Sequence, residues 1–76
     1  MAFSDVVMYP VNSSNVAEIG YDPDNMVAYV SFISNGSTYW YSGVDLDTWE
    51  SFLSAPSKGK FVWAVFRSGG YDYGLM

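Results

Sequence analysis

The sequence predicts an α+β fold in which a three-stranded antiparallel meander is followed by two short helices around an aromatic-rich core. Residues 15–43 contain three runs of β-forming residues separated by turn residues. Residues 45–67 carry apolar side chains at helical spacing. The 76 residues predict one domain. Because the chain has no cysteine, we expect packing of aromatic side chains or self-association to stabilise this domain.

The three predicted strands cover about residues 15–22, 26–33 and 38–43. "DPDN" (22–25) suits a type I turn between the first two strands. Asn35-Gly36 predicts a hairpin between the second and third, through a type I′ turn with positive φ at both central residues. The second strand alternates poorly between apolar and polar residues, which indicates burial on both faces.

The first helix is predicted near residues 45–54. Its apolar residues recur at helical spacing, at Leu46, Trp49, Phe52 and Leu53. Asp45 is placed as the N-cap, and Asp47 adds negative charge where the helix dipole favours it. Pro56 ends the helix, because the residue before a proline avoids the helical region.

Residues 57–67, "SKGKFVWAVFR", fit two structures. As a strand, 60–67 would mix charged and apolar residues on both faces, although β-propensity favours it. As a helix capped by Ser57, its apolar side holds Phe61, Val62, Val65 and Phe66. The opposite side of that helix holds Lys60, Trp63, Ala64 and Arg67. Only the helix separates charged from apolar residues.

The two ends of the chain carry weaker signals. Residues 1–12 are predicted as an N-terminal extension or edge strand, and "SGGYDYG" within 68–76 as a flexible tail able to fold over a site. The N-terminus has no basic region followed by a long apolar stretch, and the longest apolar run is "FVWAVF". Neither a signal peptide nor a membrane span is expected, so the predicted location is cytoplasmic.

The pattern of the chain after residue 10 resembles the KTSC domain, a small family named for its likeness to a C-terminal segment of some lysyl-tRNA synthetases. The residues that carry the resemblance are Ser13, Ser14, Gly20, Tyr21, Asp22, Val30, Phe32, Gly36, Tyr39, Tyr41, Val44, Ala55, Ser57, Gly59, Phe61, Arg67 and Tyr71. The resemblance implies helical segments after the meander and therefore a helix at 57–67. It also implies a short free-standing protein of the kind common in bacteria and phages. "VWAVF" is more apolar than the corresponding family segment, and Trp63 is not a family residue.

Charge limits the kinds of partner. The net charge is −5, and the only cations are Lys58, Lys60 and Arg67. Binding to long DNA or RNA needs many phosphate contacts, so three cations suit a small anion instead. Without histidine or cysteine the sequence predicts no metal site, no cofactor and no enzyme. Ser57 and Lys60 match the S-x-x-K spacing of a Ser-Lys nucleophile, but an N-cap serine before a solvated lysine is the simpler interpretation.

The aromatic residues have two interpretations. In a strand, Tyr39 and Tyr41 face one way and Trp40 the other, so one side lines the core. The exposed side then supports either a dimer contact or a stacking platform for a flat base. Arg67 likewise either pairs with a carboxylate or binds phosphate together with the two lysines.

We therefore expect a small non-enzymatic binding protein, of a kind that a phage could encode, that binds or sequesters a small anionic nucleotide-type ligand. A host immune signalling nucleotide is one example of such a ligand. The expected ligand-binding residues are Lys58, Lys60, Trp63, Arg67, Tyr39 and Tyr41. The alternative is a protein-interaction module whose acidic, aromatic surface, including Asp45, Asp47 and Glu50, docks a host protein. A homo-oligomer is expected in either case, because exposed aromatic residues need cover.

Overall fold

The computed structural model describes residues 6–76 and builds a five-stranded antiparallel sheet with its helices on one face. The strands are β1 (Met8–Pro10), β2 (Val16–Asp22), β3 (Val27–Phe32), β4 (Thr38–Ser42) and β5 (Asp72–Leu75). The helices are α1 (Leu46–Ser54) and α2 (Lys58–Phe61), and α2 continues as a π-helical segment, Val62–Arg67. Residues 1–5 lie outside the described part, including Asp5 and the start of the predicted extension.

The predicted α+β class is confirmed, but three strands is an undercount. The meander is present as β2, β3 and β4, and the sheet order is β1-β2-β3-β4-β5. The predicted flexible tail at 68–76 is wrong, because Asp72–Leu75 pairs with β4 residue for residue. Tyr71, Tyr73 and Leu75 alternate with smaller or polar residues as a strand requires. Gly70, at φ 82°, supplies the turn that brings this strand back to the sheet.

The two predicted turns differ from the structure in their details. Asp22 stabilises the first turn, because its carboxylate accepts hydrogen bonds from the backbone N–H of Asp24 (3.1 Å) and the side chain of Asn25 (2.8 Å). The hairpin at Asn35-Gly36 is present, but its turn is not type I′. Gly36 has φ 67°, whereas Asn35 is not among the described residues with positive φ. The longer loop between Phe32 and Ser37 relieves Asn35 of that requirement.

Helix α1 begins and ends where its sequence predicts. The Asp45 carboxylate accepts the backbone N–H of Thr48 at 2.8 Å, and the helix ends before Pro56, with Ala55 as C-cap. Trp49 and Phe52 face the core. Leu46 and Leu53 were predicted on the same apolar stripe, but both are exposed because α1 is a peripheral helix with one neighbouring layer.

The segment 57–67 is helical, as the separation of charged and apolar residues predicted. Val62 and Phe66 are fully buried, and Lys60, Trp63 and Ala64 are exposed on the other side. Ser57 caps α2 by accepting the backbone N–H of Lys60 at 3.3 Å. The packing of Phe66 against Tyr41 and Phe52 outweighs the local preference for a strand.

The core lies between the sheet and the helices. Its buried residues are Val16, Ile19, Ala28, Val30, Tyr41, Val44, Trp49, Phe52, Val62 and Phe66. Pairing of Ala28 with Tyr41 and of Val30 with Tyr39 places these side chains on the helix face. The opposite sheet face carries Trp40, which lies over Gly74 in β5.

The edges of the sheet are unlike each other. At β1, the Val11 N–H donates to the Ala17 carbonyl (3.1 Å). Because bonded and non-bonded pairs alternate along an antiparallel ladder, the nitrogen of Pro10 points away from β2. A proline is tolerated there because no ladder bond is lost. Strand β5 carries no proline. Within residues 6–76, no helix is long and apolar enough to cross a bilayer.

Candidate functional site

Trp63 and Arg67 are held on the outer side of the π-helical segment. Because Val62 and Phe66 anchor this segment in the core, the neighbouring side chains are directed along the sheet surface towards β4 and β5. The indole of Trp63 is 60% exposed, which is a large exposed ring for a chain this small. The Ser68 hydroxyl donates to the Trp63 carbonyl (2.8 Å) and secures the end of the segment.

The Arg67 guanidinium lies among three aromatic rings. Its central carbon is 4.4 Å from the ring centroid of Tyr73, 4.8 Å from that of Trp63 and 5.9 Å from that of Tyr39. Its Nη2 also donates to the Tyr73 hydroxyl at 3.3 Å. Cation–π contacts at these distances orient the guanidinium before any ligand arrives. Arg67, Trp63, Tyr39 and Tyr73 are called the arginine cluster below.

No carboxylate in the described part of the chain pairs with Arg67, whose contacts are these rings and tyrosine hydroxyls. The ion pair considered from the sequence is therefore not formed with any of residues 6–76. Burial lowers the pKa of the guanidinium, but the hydrogen bond to Tyr73 and the nearby hydroxyl of Tyr41 outweigh it, so the pKa is raised overall. Arg67 is a permanent positive charge without an acidic partner among these residues.

A groove of about 320 Å³ shares Trp63 with the arginine cluster, and the other three members of the cluster do not line it. Its lining residues are Ser14, Asn15, Phe32, Ile33, Ser34, Gly59 and Trp63. The Ile33 N–H donates to the Asn15 carbonyl at 3.0 Å, which joins two of the groove's walls. The groove combines an exposed ring with hydroxyl and amide groups, a lining that suits a flat polar molecule.

Gly59 has a packing role in the groove. It is buried, and a Cβ at this position would lie 2.7 Å from Nδ2 of Asn15. Its lack of a side chain lets α2 approach the loop before β2, and this approach forms the floor of the groove.

Lys58 is not part of the site. Its Nζ donates to the carbonyl of Ala55 at 2.8 Å and to that of Leu53 at 3.1 Å, at the end of α1. A lysine at this position satisfies carbonyls that the helix leaves without partners. Lys60 is exposed on the same side of the helix as Trp63. Of the two lysines predicted to bind the ligand, only Lys60 is left for that purpose.

Tyr41 is not a stacking platform. The ring is fully buried, stacked on Phe66 at 5.0 Å, so neither of its faces is open to a ligand. Its buried hydroxyl makes no regular hydrogen bond with the described residues. Burial raises the pKa of this hydroxyl, and the nearby Arg67 guanidinium only partly offsets that rise. Tyr41 supports the floor beneath Arg67 instead.

Tyr73 is a member of the arginine cluster that the sequence interpretation missed. It lies opposite Tyr41 in the β4–β5 ladder, with ring centroids 5.6 Å apart. The period-two alternation of Tyr71, Tyr73 and Leu75 was the signal that could have identified it.

A larger cleft, of about 440 Å³, lies at the turn between β2 and β3. Its lining includes Asp22 and Asp24 and no cationic residue, so it does not suit an anion. The Asp22 carboxylate is already bonded within the turn. No group of three or more histidine, cysteine or carboxylate residues in the described chain is placed to hold a metal ion.

Comparison with known proteins identifies relatives over most of the chain. A family model described as "KTSC domain" matches residues 12–73. The crystal structure of a KTSC domain protein from Yersinia pestis superposes with a TM-score of 0.84 at 38% identity, covering 93% of this chain and 97% of that one.

Two further relatives are similar in sequence alone. A protein of Tsukamurella paurometabola is 38% identical over 60 residues, covering 79% of this chain and 88% of its own length. A protein of Stutzerimonas stutzeri is 33% identical over 63 residues, covering 83% and 87% respectively. Neither name states an activity, so the chemistry must come from the site.

Proposed function

The chain belongs to the KTSC domain family, and from that premise we propose that it is a small non-enzymatic protein that binds an anionic, nucleotide-type ligand at the groove beside Trp63. The base stacks on the exposed indole, and the phosphate is held by Arg67 with help from Lys60. In a cell whose defence uses a signalling nucleotide, such binding would sequester the signal, and a phage would benefit from encoding it.

The observation that carries this proposal is the position of Arg67 against Trp63, 4.8 Å from a ring that also lines the groove. A guanidinium has five N–H donors, and in Arg67 one hydrogen bond of regular geometry, to Tyr73, is formed. The remaining donors suit the oxygens of a phosphate, which an arginine can contact in a bidentate manner. An exposed ring and a cation without an acidic partner are the two groups that nucleotide binding uses.

The role of Ser57 supports binding rather than catalysis. Its hydroxyl accepts the backbone N–H of Lys60, which is the geometry of a helix cap. The Lys60 amine lies at the far end of its own side chain, and this residue is exposed. The S-x-x-K match therefore has a structural explanation in the fold.

Calorimetric titration of mono-, di- and cyclic nucleotides into the wild type and Arg67→Ala tests the proposal. Arg67→Ala removes a charge-assisted hydrogen-bonding group and should cost about 1.5–3 kcal/mol, which is one to two decades in affinity. Lys58→Gln is the matched control: it removes one positive charge at a lysine that is bound to α1, so the affinity should remain. If the wild type binds no nucleotide below millimolar concentration, the proposal is wrong.

A second candidate function rests on a separate surface. On α1, Leu46 and Leu53 are exposed beside Asp47 and Glu50, which gives an apolar and acidic helix side without cover in the described chain. Such a surface suits docking to a basic patch on another protein. Charge reversal at Asp47 and Glu50 should abolish that docking and leave nucleotide binding unchanged, whereas Arg67→Ala should do the opposite. Asp45 is omitted because it caps the helix.

A further inference from the structure

Strand β5 has backbone groups available for pairing along its whole outer side. The Met76 N–H donates to the Thr38 carbonyl at 2.9 Å, and the pairing of Leu75 with Tyr39 lies one step further in. Because bonded and non-bonded pairs alternate in an antiparallel ladder, Gly74 and Asp72 also bond to β4. The N–H and C=O groups of Tyr73 and Leu75 therefore point away from the sheet.

This edge lacks the features that normally prevent strands from pairing. Natural edges are protected by proline, lysine, bulges or a covering element. At the opposite edge, Pro10 removes an outward donor. The centre of β5 has no proline or lysine, pairs with β4 regularly, and carries Leu75 60% exposed.

We propose that β5 pairs antiparallel with β5 of a second copy of this chain, with Gly74 at the twofold axis. In this register Tyr73 and Leu75 of one copy exchange backbone hydrogen bonds with Leu75 and Tyr73 of the other. The two five-stranded sheets then form one continuous sheet with all helices on the same side. The pairing needs no ligand and is independent of the function proposed above.

The residues of the strand favour this register over its nearest alternative. With Gly74 at the axis, the closest pair of Cα atoms, about 4.5 Å apart in a non-bonded pair, is a pair of glycines. Each Tyr73 ring then lies beside a leucine, a favourable cross-strand pair. With Tyr73 at the axis, both Tyr73 rings would meet, and each has an Arg67 guanidinium 4.4 Å away. That arrangement brings two positive charges together.

A second copy fits this edge better than an unrelated peptide, because the strand is its own complement. Tyr73 and Leu75 are two residues apart on the same face, so a twofold axis between them matches each with the other. Asp72 of one copy then faces Met76 of the other, so no two like-charged side chains lie directly opposite each other in the ladder.

Sedimentation equilibrium on the full chain, from micromolar to millimolar concentration, tests the interface. The wild type should approach twice the chain mass of 8.5 kDa as concentration rises. Leu75→Pro should remain a monomer at least tenfold higher in concentration, because it removes the outward N–H and the leucine beside Tyr73 while leaving the β4 ladder intact. Val7→Lys, on an exposed residue beside the other edge, is the control and should dimerise like the wild type. A wild type that stays monomeric, or a dimer that Leu75→Pro leaves unchanged, overturns the proposal.

Cysteine crosslinking tests the register in a chain that has no cysteine of its own. Asp72→Cys with Met76→Cys places the two cysteines opposite each other across the axis, within disulfide reach. Within one chain these positions are about 13 Å apart along the strand and cannot be joined. The double variant should form a covalent dimer under oxidation, and each single variant should not. Failure of the double variant to crosslink, or equal crosslinking by a single variant, overturns the assignment of Gly74 to the axis.

Discussion

The Arg67 guanidinium carbon lies 4.8 Å from the centre of the Trp63 ring, four residues earlier in the same helical segment. The pair therefore comes from one rigid element and not from two loops that must meet. A site built on one element holds its geometry in the absence of ligand, which reduces the ordering cost of binding.

Trp63→Ala should weaken nucleotide binding by about 1–3 kcal/mol, because it removes the ring on which the base stacks. Trp63→Phe keeps a smaller ring and should recover part of the loss. Trp40→Phe is the matched control, since Trp40 lies on the opposite face of the sheet. Calorimetry of the three variants measures the effect, and an equal loss in Trp40→Phe would contradict the assignment of the site.

Tyr41→Phe and Tyr21→Phe should change stability differently. The Tyr21 hydroxyl donates to the Val44 carbonyl at 2.6 Å, so its removal should lower the free energy of unfolding by about 0.5–1.5 kcal/mol. The Tyr41 hydroxyl is buried without a regular partner among the described residues, so its removal should leave stability unchanged or increase it. Urea denaturation measures both variants. Equal destabilisation would show that the Tyr41 hydroxyl is well bonded.

Lys58→Ala should lower the free energy of unfolding by about 1 kcal/mol, because two carbonyls at the end of α1 lose their hydrogen-bond donor. Lys60→Ala should change stability little, since that side chain is exposed. The order reverses for nucleotide affinity, where Lys60→Ala should have the larger effect. Thermal unfolding and calorimetry on the two variants test both statements. A Lys58→Ala variant as stable as the wild type would contradict the capping role.

Acid should weaken the start of α1. Hydrogen bonding to Thr48 lowers the pKa of Asp45 below its ordinary value of 3.8. A carboxylate with a depressed folded-state pKa contributes stability above its unfolded pKa and loses it as the pH falls through the folded value. The stability difference between the wild type and Asp45→Ala should therefore be constant from neutral pH to about pH 4 and shrink below it. Asparagine caps the helix without titrating, so the stability difference between Asp45→Asn and Asp45→Ala should stay constant as the pH falls.

The elements that the sequence predicted are those whose signal is local. Strands β2 to β4 follow from turn residues and β-forming runs, and α1 follows from the Asp45 cap and the break at Pro56. Strand β5 has a weaker local signal, the alternation of Tyr71, Tyr73 and Leu75, and its conformation depends on pairing with β4 across the turn at Gly70. From propensity alone, Gly69-Gly70 predicted the start of a flexible tail. In the fold these two glycines lie in the turn before β5.

The site could be predicted only in part, for a similar reason. Helical spacing alone placed Trp63 and Arg67 on one side of 57–67. Alternation in β4 showed that Tyr39 and Tyr41 share a face, but it does not say which face is the core, and the helices bury Tyr41. The position of Lys58 depends on where the last carbonyls of α1 lie, which no charge pattern in the sequence indicates.

The π-helical segment Val62–Arg67 places a constraint on the length of this part of the chain as well as on its composition. A π-turn contains one residue more than an α-turn. Deleting a residue between Val62 and Arg67 would leave Trp63 and Arg67 on one side of the helix, because residues three apart are neighbours there. It would also shorten the path from the core to the turn at Gly70, which would pull β5 out of its pairing with β4. During divergence, we therefore expect this segment to accept substitutions more readily than insertions or deletions.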